Sequence, residues 1–74
     1  MTMVKNRYGE LVERRQWLKD LRAEKGLTVR EAAEKIGLSW TYYSDIENNR
    51  RSPSLAKAVV IAKFFGFDAE KFVS

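Results

Sequence analysis

Two helix signals separated by a three- or four-residue turn constrain this chain more than any other feature. Thr28 and Glu31 have the spacing of a capping box, in which each side chain accepts a backbone N–H at the start of a helix. Gly37 is a typical residue to end that helix, which the sequence predicts over 29–36. Ser39 follows almost at once and is a good N-cap for the next helix. The sequence therefore predicts two short helices joined by a tight turn.

The second of these helices, over about residues 40–47, has an unusual outer face. Tyr43, Ile46 and the aliphatic part of Glu47 share its inner side. The outer side carries hydrogen-bonding groups and one large ring, rather than the Lys and Glu mixture of an ordinary solvated helix. These outward residues are Trp40, Thr41, Ser44, Asp45 and Asn48. A binding face and a plain polar surface both remain open at this point.

Signals on either side of this pair predict more helices. A helical pattern runs over about 11–25 and ends at Gly26, and Pro53 lies where a further helix starts. Asp68 is expected to cap a last short helix that holds Phe72 and Val73. The inner face of the fourth helix is expected to consist of Leu55, Ala58, Val59, Ile61, Ala62 and Phe65. The expected fold is all-α, a compact bundle of four to five short helices with no strand.

Residues 1–10 show no period and are expected to form a flexible tail, followed by a single domain over 11–74. Lys5, Arg7 and Tyr8 make the tail mildly basic. A basic arm can follow a nucleic-acid backbone or minor groove, although a disordered tail is the simpler expectation.

Composition excludes several classes of function. The chain has 74 residues, no Cys and no His, so no disulfide, thiolate metal site or histidine base is available. We expect neither an enzyme nor a cofactor. The net charge of +4 favours a polyanionic partner. The longest apolar run, 58–62, is far shorter than the roughly 20 residues of a membrane span, and the first residues lack the apolar core of a signal peptide, so we expect a cytoplasmic protein.

From about residue 18 to residue 73 the chain resembles the Cro/C1-type (XRE) family of helix-turn-helix domains. The residues that carry the resemblance are Leu18, Leu21-Arg22, Lys25-Gly26-Leu27-Thr28, Ala33, Ile36-Gly37-Leu38-Ser39, Ile46-Glu47-Asn48, Arg50-Arg51-Ser52-Pro53-Ser54, Ile61-Ala62 and Phe65-Gly66. The resemblance implies a lambda-repressor-like fold whose third helix enters the DNA major groove. It also implies a transcriptional regulator, and a repressor is the kind of regulator that we expect.

Three positions depart from the family pattern. Val29 stands where the family often has a Gln that touches a phosphate, so that contact is expected to be absent. Ala32 replaces a common Leu, and Trp17 or Tyr43 is expected to fill the space. Asn49 replaces a common Gly, and Asn tolerates the same left-handed conformation.

The resemblance also assigns roles to the outward residues. The expected base contacts are Trp40, Thr41 and Asp45, with Tyr42 at the edge of the face. The expected phosphate contacts are Ser39, Ser44, Asn48, Arg50 and Arg51. The residues themselves, and not the resemblance, suggest one more surface. Val60 and Phe64 lie four residues apart and are expected on the outer side of the fourth helix, as a dimer or partner surface.

The expected partner is double-stranded DNA, read as an inverted repeat by a homodimer. Two alternatives have the same fold. One is an antitoxin that binds a toxin as well as its own promoter, and the other is a protein-interaction module that has lost DNA binding. A protein partner, such as an antirepressor or a toxin, is therefore also considered.

Overall fold

A computed structural model describes residues 3–6 and 8–73, and places a small hairpin in front of a helical bundle. The helical bundle expected from the sequence is confirmed. In chain order the elements are β1 (Met3–Lys5), β2 (Leu11–Glu13), α1 (Gln16–Glu24), α2 (Val29–Ile36), α3 (Trp40–Glu47), α4 (Leu55–Phe65) and a 3-10 helix (Ala69–Phe72). Within these residues, no helix has the length and apolar character that crossing a bilayer requires.

The N-terminal hairpin corrects the expectation that the chain has no strand. β1 and β2 pair antiparallel, with Val4 opposite Val12. The turn between them is held by Asn6, whose Oδ1 accepts the backbone N–H groups of Tyr8 (2.9 Å) and Glu10 (3.0 Å). Three-residue strands are too short for an alternating pattern to stand out in the sequence. The first helix accordingly begins at Gln16, not near residue 11.

Only part of the expected basic tail belongs to the described residues. Arg7 lies outside the described residues, as do positions 1, 2 and 74. Lys5 lies in β1 and is exposed, and Tyr8 lies in the hairpin turn.

The expected start and end of α2 and the expected stop after α3 are confirmed. Thr28 and Glu31 form the complete capping box, with Thr28 Oγ1 accepting the Glu31 N–H (3.1 Å) and Glu31 Oε1 accepting the Thr28 N–H (2.9 Å). This hydrogen bonding holds the pKa of Glu31 below its usual range. Gly37 ends α2 with φ at 89°, and Asn49 takes the left-handed conformation with φ at 58°. The turn between α2 and α3 therefore follows from residues visible in the sequence.

The core lies where α1, α2, α3 and α4 meet. Its buried cluster consists of Leu18, Ala32, Ala33, Tyr43, Ile46, Ile61 and Phe65. Tyr43 is 0% exposed and belongs to the same cluster as Ala32, which agrees with the expected replacement of a larger residue. Trp17 instead packs against the C-terminal rings, with centroids 5.0 Å from Phe67 and 5.4 Å from Phe72.

The inner face of α4 is confirmed in part: Ala58, Ile61, Ala62 and Phe65 are buried as expected, but the helix is rotated so that the buried stripe differs at its edges. Leu55 is 80% exposed and Val59 is 36% exposed, so neither belongs to the inner face. Phe64 is half-buried against the core, and its ring lies 4.9 Å from that of Phe65, so it is not an outer-face residue. Val60 is 42% exposed, as expected. Because α4 is apolar on nearly every side, periodicity alone cannot select the buried stripe.

Candidate nucleic-acid interface

Helix α3 presents one side to solvent because the bundle holds the other. Tyr43, Ile46 and Glu47 are buried, as the sequence predicts. Trp40 is 48% exposed and Thr41 is also exposed. The Ser39 hydroxyl accepts the Tyr42 N–H (3.2 Å) and caps the helix at the end where backbone N–H groups point outward. The exposed N-terminal end of α3 is thus able to meet an anion or a base edge.

Trp40 has a cationic neighbour that the sequence did not suggest. The guanidinium carbon of Arg30, on α2, lies 5.3 Å from the centroid of the Trp40 ring. Arg30 is exposed, so its charge remains available beside the start of α3. It follows Val29, the position at which the sequence predicts that the family's phosphate contact is absent. No signal in the sequence indicates this pairing, because it depends on how two helices are placed.

Tyr42 is braced by its own chain. Its hydroxyl accepts the Ser54 N–H (3.3 Å), and the guanidinium carbon of Arg51 lies 5.2 Å from its ring centroid. Tyr42 is half-buried as a result. These contacts connect α3 to the start of α4, and they leave Tyr42 less accessible than Trp40 or Thr41.

Asp45 lies between the two consecutive arginines. Its Oδ1 is 3.9 Å from Nη1 of Arg50, and its Oδ2 is 3.7 Å from Nε of Arg51. Both distances exceed those of a hydrogen bond, and both arginine side chains keep 40% or more of their surface exposed. The arrangement keeps two guanidinium groups on the same side as the outer face of α3. The Asp45 carboxylate lies next to them and attracts both electrostatically.

The remaining expected phosphate contacts differ in how much of their hydrogen-bonding capacity is already used within the protein. Asn48 Nδ2 donates to the Ser44 carbonyl (3.0 Å) and lies 3.4 Å from the Ser44 hydroxyl oxygen. Asn48 and Ser44 are both half-buried, so part of their hydrogen-bonding capacity is used within α3. The Ser39 hydroxyl acts as an acceptor in its cap and still carries a proton to donate.

Two arginines outside α3 hold its C-terminal end in place. Arg22 pairs with buried Glu47 through two contacts, Nε to Oε2 at 2.6 Å and Nη2 to Oε1 at 3.1 Å. This hydrogen bonding raises the pKa of Arg22. Arg15 is itself buried, and its Nη1 donates to the carbonyls of Ile46 (2.6 Å) and Arg51 (3.2 Å). Burial lowers the pKa of Arg15.

Sequence reasoning missed both partnerships. A buried charge on a helix face indicates that a partner is needed, so Glu47 on the inner side of α3 was a usable signal. The sequence carried no corresponding signal for Arg15, which precedes the first helix and resembles any exposed cation. Among the described residues, no group of acidic side chains is arranged to hold a metal ion.

A helix-turn-helix family model, HTH_3, matches residues 18–72. The chain belongs to this family, because the match covers most of its 74 residues. The family consists of DNA-binding transcription regulators and not of enzymes, so this chain is a DNA-binding regulator domain. The resemblance to the Cro/C1-type family is confirmed.

Individual relatives agree with this assignment. The chain is 43% identical over 54 residues to the uncharacterized HTH-type transcriptional regulator YqaF of Bacillus subtilis (strain 168), covering 73% of this chain and 71% of that protein. It is 38% identical over 58 residues to the immunity repressor protein of Bacillus phage phi105, covering 78% of this chain and 40% of the repressor. Neither the antitoxin nor the protein-interaction module is favoured by these findings.

Solved structures show the same fold. The hypothetical transcription factor NHTF from Neisseria superposes with a TM-score of 0.66 at 28% identity, covering 76% of this chain and 63% of that one. An HTH_3 family transcriptional regulator from Vibrio cholerae gives a TM-score of 0.64 at 30% identity, covering 77% and 32%. The chain thus spans less than two thirds of both solved proteins.

Proposed function

We propose that this domain binds a specific DNA operator by placing α3 in the major groove, and that binding represses transcription. The observation that carries the proposal is the exposed outer side of α3, with Arg50 and Arg51 at its C-terminal end on that same side. The major groove accommodates a helix and presents a distinct donor and acceptor pattern for each base pair. The phi105 relative is by name an immunity repressor, which supports repression as the outcome.

Base reading is assigned first to Thr41 and Trp40, because these are the exposed residues at the N-terminal end of α3. Thr41 can donate to a base edge or pack on a thymine methyl group. Trp40 offers a flat apolar face and one N–H donor. Asp45 can accept from a cytosine amino group, and Tyr42 is retained as an edge contact only.

Phosphate binding is assigned to groups on both sides of this reading face. Ser39 and the first backbone N–H groups of α3 lie at its N-terminal end, where the helix dipole favours an anion. Arg30 adds a guanidinium there, in place of the contact that Val29 does not make. At the other end, Arg50 and Arg51 supply the charge, and Ser44 and Asn48 remain secondary candidates.

Asp45 has a second role in this proposal. Its carboxylate competes with phosphates for Arg50 and Arg51, so non-specific duplex is bound less tightly than the two arginines alone would allow. The correct operator restores the lost affinity, because one of its bases, such as a cytosine with its amino group, donates a hydrogen bond to Asp45. The carboxylate therefore sharpens the choice of sequence at a cost in affinity.

We propose further that the domain acts as a homodimer on an inverted repeat, in the cytoplasm where its DNA partner is found. Two-fold symmetric dimers of helix-turn-helix proteins match operator half-sites about one helical turn apart. A protein partner, such as an antirepressor or a toxin, remains a prediction from the sequence.

Selection of bound duplexes from a random pool tests the operator proposal. We expect enrichment of one motif, repeated with inverted symmetry and a fixed spacing. A pool that stays random after repeated rounds, with no retained duplex, would overturn the proposal. An enriched motif without inverted symmetry would support specific DNA binding and contradict the proposed homodimer.

Replacing Arg50 with Ala tests the phosphate assignment. We expect weaker binding to operator and random duplex alike, with the slope of log affinity against log salt reduced by about one. Lys63→Ala is the matched control, because Lys63 is an exposed cation in the last turn of α4 and is not among the proposed DNA contacts. Equal salt slopes for the two variants would contradict the role of Arg50.

A further inference from the structure

We propose that the N-terminal hairpin is a second DNA-contacting element, and that a cleft beside α3 receives the phosphate backbone of the duplex. This proposal rests on the proposed function. The family match begins at residue 18, so the hairpin lies entirely outside it. The contact would therefore be additional to those made by the helix-turn-helix itself.

The cleft lies between the hairpin and the loop that follows α3. It has a volume of about 170 Å³. Its walls are formed by Asn6, Tyr8 and Val12 on the hairpin side, and by Asn49, Arg50, Arg51 and Ser52 on the loop side. Since the loop wall contains the arginines already assigned to phosphates, a duplex held by them passes next to the hairpin.

The hairpin is attached to the end of α3 by specific hydrogen bonds. Asn49 Nδ2 donates to the Glu13 carbonyl (2.9 Å), and the Arg15 N–H donates to the Glu47 carbonyl (2.9 Å). The buried Arg15 side chain adds the bond to the Ile46 carbonyl (2.6 Å). A contact element held in this way is already ordered before the ligand binds, so little conformational entropy is lost on binding.

The charges around the cleft suit a phosphate. Among the described residues, the lining of the cleft includes two arginines and no carboxylate. The Asp45 carboxylate lies next to these arginines, 3.9 Å from Arg50 Nη1 and 3.7 Å from Arg51 Nε, and is not part of the lining. Of the nearby acids, Glu10 accepts a hydrogen bond from Asn6 Nδ2 (3.0 Å) within the turn. Glu13 belongs to the other side of the hairpin, where it lines a separate groove with Trp17 and Lys71.

The uncharged groups of the cleft also fit a nucleic-acid backbone. Ser and Tyr hydroxyls are common donors to phosphate oxygens, and both Ser52 and Tyr8 line the cleft. Tyr8 is 78% exposed, so a duplex that enters the cleft reaches this side chain. A small polar metabolite is a weaker fit, because the cleft is open to solvent and its hydrogen-bond donors do not enclose a ligand-sized volume.

The test places a negative charge inside the cleft and compares it with the same charge on the far face of the hairpin. Tyr8→Glu should weaken binding to operator and random duplex by about tenfold at low salt, because the new carboxylate repels the backbone. Leu11→Glu is the matched control. Leu11 pairs with Lys5, is 64% exposed, and lies on the opposite face from Val12.

Phosphate ethylation interference supplies a second measurement on the same complexes. In the parent, ethylation should interfere at more phosphates than those whose interference is lost in Arg50→Ala. Tyr8→Glu should lose interference at these additional phosphates. Its thermal unfolding midpoint should equal that of the parent. A parent that binds its operator, with Tyr8→Glu equal to Leu11→Glu in affinity and interference pattern, would overturn the hairpin contact alone. A parent that binds no duplex would overturn the proposed function, and the hairpin contact with it.

Discussion

Tyr43 shows how one residue adapts a family core to this sequence. Among the described residues it is the largest fully buried side chain, and it lies with Ala32 and Ala33 in the central cluster. Burial raises the pKa of its hydroxyl, and the nearby Glu47 carboxylate raises it further. The side chain therefore stays neutral in the folded domain at pH values where an exposed tyrosine would ionise.

This shift predicts a loss of stability in alkaline solution. The folded pKa of Tyr43 lies above its unfolded value of 10.0, so the stabilisation is complete below pH 10 and falls as the pH rises beyond it. The thermal unfolding midpoint, followed by circular dichroism, should drop more steeply above that pH in the parent than in Tyr43→Phe. Parallel curves for the two proteins would contradict the assignment.

At the scale of elements, the Arg22–Glu47 pair joins α1 to α3. The two-contact geometry fixes the orientation of both side chains, and Arg22 Nη1 also donates to the Leu27 carbonyl (2.8 Å). Glu47 is 1% exposed, so its charge depends on this partner. The helix that is proposed to read DNA is thus held from behind by an ionic contact as well as by apolar packing.

Glu47→Gln should therefore destabilise the fold. The change leaves the partly buried Arg22 guanidinium without its counter-charge, and removing one partner of a buried pair costs roughly 3 kcal/mol in the free energy of unfolding. Urea denaturation measures this cost. Glu34→Gln, at an exposed position of α2, is the control and should change the free energy by less than about 0.5 kcal/mol. Equal losses for both variants would show that the pair adds nothing to stability.

At the scale of the whole molecule, α4 carries exposed apolar side chains that could form the proposed dimer interface. Val60 remains available there, whereas Phe64 is partly used by the core and by Lys25, whose Nζ lies 5.3 Å from its ring centroid. Leu55 and Val73 are the most exposed large apolar residues near the start of α4 and the end of the described chain, at 80% and 87%. Two regions of α4 are thus candidates for a symmetric contact.

Val60→Asp tests which region forms the proposed dimer. We expect the variant to bind a single half-site like the parent, but to lose cooperative binding to the inverted repeat, because a charge is costly to bury in an interface. Sedimentation with and without operator measures the oligomeric state. Leu55→Asp is the comparison: if it removes cooperativity and Val60→Asp does not, the interface lies at the start of α4 and our assignment of Val60 is wrong.

The sequence by itself determined the parts of this protein that depend on local chemistry. The Thr28 and Glu31 capping box, the Ser39 cap and the left-handed Asn49 each act over a few residues, so their types and spacing were sufficient. The inner side of α3 followed from periodicity for the same reason. The outward position of Trp40 and Thr41 then followed by exclusion.

Only the tertiary structure decided the features that depend on distant residues. The rotation of α4 was undetermined because its sequence is apolar on nearly every side, and packing selected one stripe. The contacts of Arg15 with Ile46 and of Arg30 with Trp40 join separate elements, so no local pattern reports them. The hairpin consists of strands too short to show a period, and hydrogen bonds from the loop after α3 hold it in place. The rotation of α4, the arginine contacts and the attachment of the hairpin share one physical reason: each depends on contacts between residues far apart in the chain, which can form only after the helices have packed.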